Sequence, residues 1–217
     1  GDSTVKFEYY EPDIGKYETL EGVDTYTKVV QSRVSNVGAN RVSASMMAIH
    51  TKEFGEITWV NGKFLEDHYY NYLNALAVEP NGVLVSRTFQ TQQGYEIGQF
   101  MNYTYTETSN DGSHKENYTL SGKIVGFIDY WPGFRPEGLK WDPRSKSMIT
   151  TYNYLVVCNY SYFVNKCGTQ PYEIWMGLKE GFDSGDVADW VNENELTLEQ
   201  YVDRPDDLEK TVTNPLL

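Results

Sequence analysis

From Arg41 onward the chain is written in short apolar and aromatic runs separated by turn-forming residues, a spacing that predicts strands. RVSASMMAIHT (41–51) reads as one strand and EITWV (56–60) as the next, meeting the hairpin signal Asn61-Gly62. KFLEDHYYNYLNALAVEP (63–80) leads to a second such dipeptide, Asn81-Gly82, and VLVSRTFQTQ (83–92) follows. YEIGQFMNYTYTE (95–107) and HKENYTLSGKIVGFIDYW (114–131) flank the turn Asn110-Asp111-Gly112. WPGFRPEGLKWDPRS (131–145), dense in Pro and Gly, reads as a loop. MITTYNYLVVCNYSYFV (148–164) and PYEIWMGL (171–178) are the last two strands. About eight strands at this spacing predict an up-and-down barrel or a sandwich.

The two ends differ from this pattern. Residues 1–16 are polar, aromatic and irregular. Beyond them Leu20, Val23, Tyr26, Val30, Val34 and Val37 recur at helical intervals, although Gly22, Thr25, Thr27 and Val29 suit a strand or loop equally. After Gly185, Val187, Trp190 and Val191 share one helical face, so a C-terminal helix is expected. Pro205 ends that pattern within an acidic tail, 204–217. The whole of 1–217 is expected to be a single domain, since no repeat, low-complexity tract or linker divides it.

Chemistry concentrates between Tyr152 and Trp175. Positions 152, 154, 160 and 162 are tyrosines, so a continuous strand would line one face with phenols. Buried phenols need hydrogen-bond partners, and such a face suits a ligand cavity. Asn159 would then point outward. On PYEIWM, Glu173 and Trp175 share one face while Tyr172, Ile174 and Met176 share the other. Facing inward, the carboxylate and indole would hold a small cation by charge pairing and cation–π attraction. Facing outward, they would leave Tyr172 and Ile174 in the core. Trp59 and Tyr72 are further candidates for the cavity wall. Cys158 and Cys167, nine positions apart, read either as a disulfide across a turn or as two buried thiols, with the disulfide expected in a secreted chain.

Composition narrows the partners. Eighteen tyrosines and five tryptophans among 217 residues favour strands, and a net charge of −13 argues against nucleic acid or an anionic membrane. No apolar run is long enough to span a bilayer. His50, His68 and His114 lack metal-ligand spacing, and two cysteines are too few for a zinc site. The common hydrolase and nucleotide-binding motifs are absent, and the paired carboxylates Glu66-Asp67, Asp183/Asp186 and Glu193/Glu195 fall mostly in turns or the acidic end. Neither an enzyme nor a cofactor is therefore expected. Asn102, Asn117 and Asn159 each open an Asn-Tyr-Thr or Asn-Tyr-Ser sequon, which favours a secreted glycoprotein.

Cys158-Asn159-Tyr160, then twelve residues, then Glu173-Ile174-Trp175 resembles the signature of the tick salivary lipocalins. The order of a cysteine-led strand, a turn, a Glu-Leu-Trp type strand and a helix is shared, with Ile174 in the leucine place. The resemblance implies an eight-stranded antiparallel barrel that sequesters small mediators such as histamine, serotonin or leukotriene-like lipids. It implies an amine-ligand role for Glu173 and a cavity-wall role for Trp175. The early-strand and C-terminal cysteines usual in that family are missing here, so its long disulfides have no counterpart.

The expectation is thus a mainly β, lipocalin-like, eight-stranded antiparallel up-and-down barrel with a C-terminal helix. It would be a secreted monomer binding a biogenic amine or lipid through Tyr154, Tyr160, Tyr162, Glu173, Trp175, Trp59 and Tyr72. The alternative is a β-sandwich interaction module whose aromatic surface meets glycans or a protein partner.

Overall fold

The computed structural model describes residues 21–58, 67–109, 111–182, 185–186, 189, 200–202 and 210–213. In chain order the elements are β1 (Val23–Val37), β2 (Val42–Ile49), α1 (Thr51–Ile57), α2 (Tyr69–Val78), β3 (Gly82–Ser86) and α3 (Thr88–Gln93). There follow β4 (Phe100–Thr108), β5 (Lys115–Ile128), β6 (Glu137–Asp142), β7 (Ser147–Tyr152) and β8 (Leu155–Asn159). The last are α4 (Tyr160–Cys167), β9 (Glu173–Leu178), β10 (Gln200–Val202) and β11 (Lys210–Thr213).

The antiparallel up-and-down barrel is not what forms. Nine strands make one mixed sheet in the order β10-β11-β9-β1-β2-β8-β3-β5-β4, in which β2–β8 and β3–β5 run parallel. The sheet curls until Ser35 of β1 meets Thr104 of β4, a single pairing that does not close a barrel. The physical reason lies in β3 and β8, which are buried at every position (Gly82–Ser86 and Leu155–Asn159). Strands of an up-and-down barrel alternate between core and solvent, whereas runs such as Val83-Leu84-Val85 and Leu155-Val156-Val157 need both faces covered.

Both faces are covered here. On one side α1, α2 and the Trp131 loop pack Phe54, Ile57, Tyr69, Leu73 and Leu76 against Val29, Met47, Leu84, Val157 and Trp175. On the other, Phe89 of α3 and Phe163 of α4 join Val30, Ala48, Val85, Tyr103, Ile124 and Ile174. Each large apolar side chain so buried contributes about 1.5–3 kcal/mol.

Several local expectations change with this architecture. The helical spacing of 20–37 gives way to the long strand β1, where β-branched residues Val29, Val30 and Val34 pack on alternate faces. Within 41–80, Thr51–Ile57 and Tyr69–Val78 are helices rather than strands. The second half of VLVSRTFQTQ is α3, closed by Gly94 in the left-handed conformation. The Asn81-Gly82 turn joins a helix to β3 rather than two strands. The expected loop 131–145 contains β6. Tail residues 210–213 form β11, paired with β9. Gly185, Asp186 and Asp189 are helical, while Val187, Trp190, Val191 and the N-terminal segment 1–16 lie outside the described residues. The β4–β5 hairpin around Asp111-Gly112 forms where the sequence pattern places it.

Candidate functional site

The phenol stripe does not survive folding. β8 ends at Asn159, and Tyr160 opens the helix α4, so the two-residue parity that aligned Tyr154, Tyr160 and Tyr162 fails. Tyr162 is buried and its hydroxyl accepts the Ser121 N–H at 2.9 Å. Tyr160 packs on His50 with ring centroids 4.4 Å apart. Tyr154 leans on Phe89, and its hydroxyl accepts from the Gln93 amide at 2.9 Å.

Glu173 and Trp175 occupy the opposite side of the sheet from those tyrosines. Trp175 belongs to the core beneath α1 and α2, with Phe54 at 5.4 Å between ring centroids, and buried Tyr72 lies in that same core. One oxygen of the Glu173 carboxylate accepts both the Trp175 indole N–H and the Gln31 amide, each at 2.9 Å. Ile174 and Met176 face the tyrosine side. The seven expected cavity residues are thus divided between two packed faces, with Trp59 outside the described residues.

The remaining local expectations fare unevenly. Cys158 and Cys167 are free buried thiols, not a disulfide, because α4 fills the stretch expected to be a turn. Burial pushes both thiols up to about 12. Asn159 is buried rather than outward: its side-chain amide donates to the carbonyls of Leu76 (2.9 Å), Glu79 (3.1 Å) and Pro80 (3.2 Å) and caps the end of α2. A glycan there would have to replace that amide proton set. Asn102 and Asn117 are exposed on β4 and β5. Among the described residues no three His, Cys, Asp or Glu side chains gather as a metal site.

What the sequence reading missed is a projecting arm. β6 and β7 form a separate two-stranded sheet whose residues are exposed or partly exposed throughout. Its register is Glu137↔Tyr152, Leu139↔Thr150 and Trp141↔Met148, which puts these six side chains on one face. Leu139 is 72% exposed, Trp141 54%, Met148 55% and Tyr152 44%. Together they present roughly 500 Å² of surface, the size of the largest apolar patch on an ordinary monomer, which is often functional. Lys140, Asp142 and Ile149 point from the other face.

The arm is pinned at its root. Trp131 is buried, stacks on Phe54 (5.6 Å), meets the tilted ring of Tyr69 (5.6 Å), and donates its indole N–H to Met47 Sδ at 3.3 Å. The Phe134 N–H returns to the Trp131 carbonyl at 2.9 Å, closing the turn. Asn153 then staples the two sides: its backbone N–H donates to Pro136 O (2.8 Å), its side-chain amide to Arg135 O (3.0 Å), and its carbonyl accepts the Thr88 hydroxyl (2.6 Å). Arg87 pairs with Asp129 at 2.6 Å beside this root. At the tip, the Asp142 carboxylate accepts the N–H groups of Arg144 (3.1 Å) and Ser145 (3.2 Å). Hydrogen bonding from the Ser145 side chain, with the Arg144 amide second, holds the Asp142 carboxyl below the ordinary carboxylate range.

No family model matches the chain, and no curated protein matches its sequence. Among the described residues no helix is long and apolar enough to cross a membrane.

Proposed function

We propose that this protein is a binding module that docks a protein partner through the β6–β7 arm and does not transform what it binds. One observation carries the reading: an apolar strand face left in solvent on an arm whose root is fixed by a buried tryptophan and an asparagine staple. A two-stranded hairpin is marginal by itself, and a folded chain gains nothing in stability from Leu139 and Trp141 held in water. Trp, Tyr, Met and Arg are the residues enriched at interface centres, and Trp141, Tyr152, Met148, Arg135 and Arg144 supply them here. The packed placement of Tyr154, Tyr160, Tyr162 and Trp175 favours this role over the sequestration of an amine or lipid.

A photoreactive phenylalanine analogue at position 152, compared with one at exposed Gln92, tests the proposal. Labelling from 152 alone is expected, abolished by Leu139→Ser with Trp141→Ser, and the labelled protein should bind when purified. Equal labelling from both positions would sink the reading. Calorimetric titration with histamine and serotonin tests the sequestration role directly. Secretion belongs to the same proposal and is supported by two sequons, Asn102 and Asn117, standing exposed. A glycan at either on expression through a secretory pathway is the expected result.

A further inference from the structure

We infer that the partner docking on the β6–β7 face is an acidic segment of another protein, with carboxylates at both ends of a short apolar stretch; this names the occupant of the docking role proposed above and depends on it. The arm presents the converse. Leu139, Trp141, Met148 and Thr150 hold the middle of the face, with exposed Arg144 and Lys146 in the turn at its tip and exposed Arg135 at its root. Arg33 adds to the root from β1. Its guanidinium donates to the Ser45 hydroxyl at 3.0 Å, the Ser45 N–H donates to the Tyr154 carbonyl at 2.8 Å, and the neighbouring Asn153 side chain holds the Arg135 carbonyl at 3.0 Å.

The chain's charge is divided unevenly, and its basic share meets here. Residues 25–52 hold four basic and no acidic side chains, and residues 131–154 hold four basic and two acidic. These segments carry +4 and +2, so against a total of −13 the rest of the chain carries −19. They come together at the arm's root, where Ser45 is the register partner of Leu155. Among the described residues Arg33, Arg135, Arg144 and Lys146 make no ion pair and are open to a partner. The nearby carboxylates are occupied. Asp142 accepts the turn amides and Asp129 is paired with Arg87, which leaves Glu137 as the one charged side chain on the apolar face.

An acidic segment gains twice from this arrangement. Opposite charges meet at both ends, while the apolar middle excludes water and lets them act in a lower dielectric. The −19 of the remaining chain disfavours other landing sites, which steers the segment to the arm. An anionic bilayer would meet that repulsion across the breadth of the body. A segment has only to span the six residues of one strand, about 20 Å.

Fluorescence anisotropy of two synthetic peptides against the full chain tests the inference. Both carry the same Leu-Trp-Val-Leu centre, one flanked by glutamates and the other by lysines. The glutamate peptide should bind at least about ten-fold tighter than the lysine peptide. Trp141→Ser should weaken it about ten-fold, as should the tip pair Arg144→Glu with Lys146→Glu, and high salt should weaken it too. Arg33→Glu with Arg135→Glu should act alike at the root. Lys115→Glu with Lys179→Glu, equal in charge but at exposed positions off the arm, should change it little. Unchanged far-ultraviolet circular dichroism and thermal midpoint show that the variants fold. Equal binding of the two peptides, preference for the lysine peptide, or binding of neither overturns the inference. So does a glutamate peptide indifferent to Trp141→Ser or to the tip pair, or arm-dependent binding to phosphatidylserine vesicles with no peptide bound. If position 152 then still labels a protein in a manner dependent on Leu139 and Trp141 but indifferent to the charge reversals, the acidic partner falls and the docking proposal stands. If it labels nothing, both fall.

Discussion

Asn159 offers the sharpest test of the architecture, because its side chain ties β8 to the end of α2 across the sheet. Replacing it with alanine removes one NH₂ donor shared by three carbonyls. Two of the three keep another partner: Leu76 O accepts the Glu79 N–H at 3.3 Å, and Glu79 O accepts the Gly82 N–H at 2.8 Å. Pro80 is itself exposed, so water can take up the lost bond at its carbonyl, whereas Asn159 is only 9% exposed and its bond to Leu76 O is buried. Loss of these three hydrogen bonds, one buried and two partly buried, costs about 2–3 kcal/mol together. For a chain of this size that lowers the melting temperature by roughly 5–10 °C. Urea and thermal unfolding of Asn159→Ala against wild type measure it, with Asn117→Ala as an exposed control expected to change little. Asn159→Asp should be worse at neutral pH, since it sets a carboxylate against carbonyl oxygens. The folded state would then hold the aspartate proton more tightly than the unfolded state. Stability should accordingly be greatest below the ordinary aspartate range and fall as pH rises through the raised folded value. An Asn159→Ala protein as stable as wild type, or a folded protein glycosylated at Asn159, would refute the reasoning.

Trp131→Ala should cost about 3–5 kcal/mol by vacating the space between Phe54 and Tyr69, and should speed hydrogen exchange in β6 and β7 more than in β4 and β5. Uniform acceleration across all four strands would show that the tryptophan does not anchor the arm. Cys158 and Cys167 should resist a thiol reagent in the native protein at pH 8 and both react on unfolding. Because burial raises both thiols to about 12, stability should decline as pH climbs from the ordinary thiol range toward that value, which alkaline thermal melts would reveal. Gly38→Ala should destabilise by about 1 kcal/mol or more. Gly38 sits at φ 70°, and a Cβ there meets the Tyr95 hydroxyl that accepts the Ala39 N–H. A urea midpoint unchanged in that variant would count against the strain.

Local rules read this chain well where a strand's partner is its neighbour in sequence. The β4–β5 hairpin was legible because the sequence Asn110-Asp111-Gly112 is a turn signal between two alternating runs, and the strand at 42–49 was legible from its apolar content. The candidate cavity was not, because strand parity was carried past Asn159 into a segment that is helical. Tyr162, Phe163 and Cys167 are all buried on α4, a spacing compatible with one helical face, but the alternating tyrosines upstream masked it. The signal for the arm was present as Leu139 and Trp141 in a polar, Pro- and Gly-rich stretch that reads as loop, because a hairpin without a core has no buried face to reveal it. Met148 was read as the start of a strand that runs on to Val164 rather than ending at Tyr152.

The sequence alone determined that the chain is rich in strands and in aromatic side chains, and that metal and membrane-spanning signatures are missing from its spacing, since these depend on composition and local pattern. Only the tertiary structure decided that the sheet is mixed, that Glu173 and the tyrosines stand on opposite faces, and that one strand pair is left bare. Those outcomes depend on which distant segments pair: β8 enters between β2 and β3 from about 70 residues or more away in sequence. Helices then cover the two faces that this pairing creates. The β6–β7 arm is bare because the core closes without it.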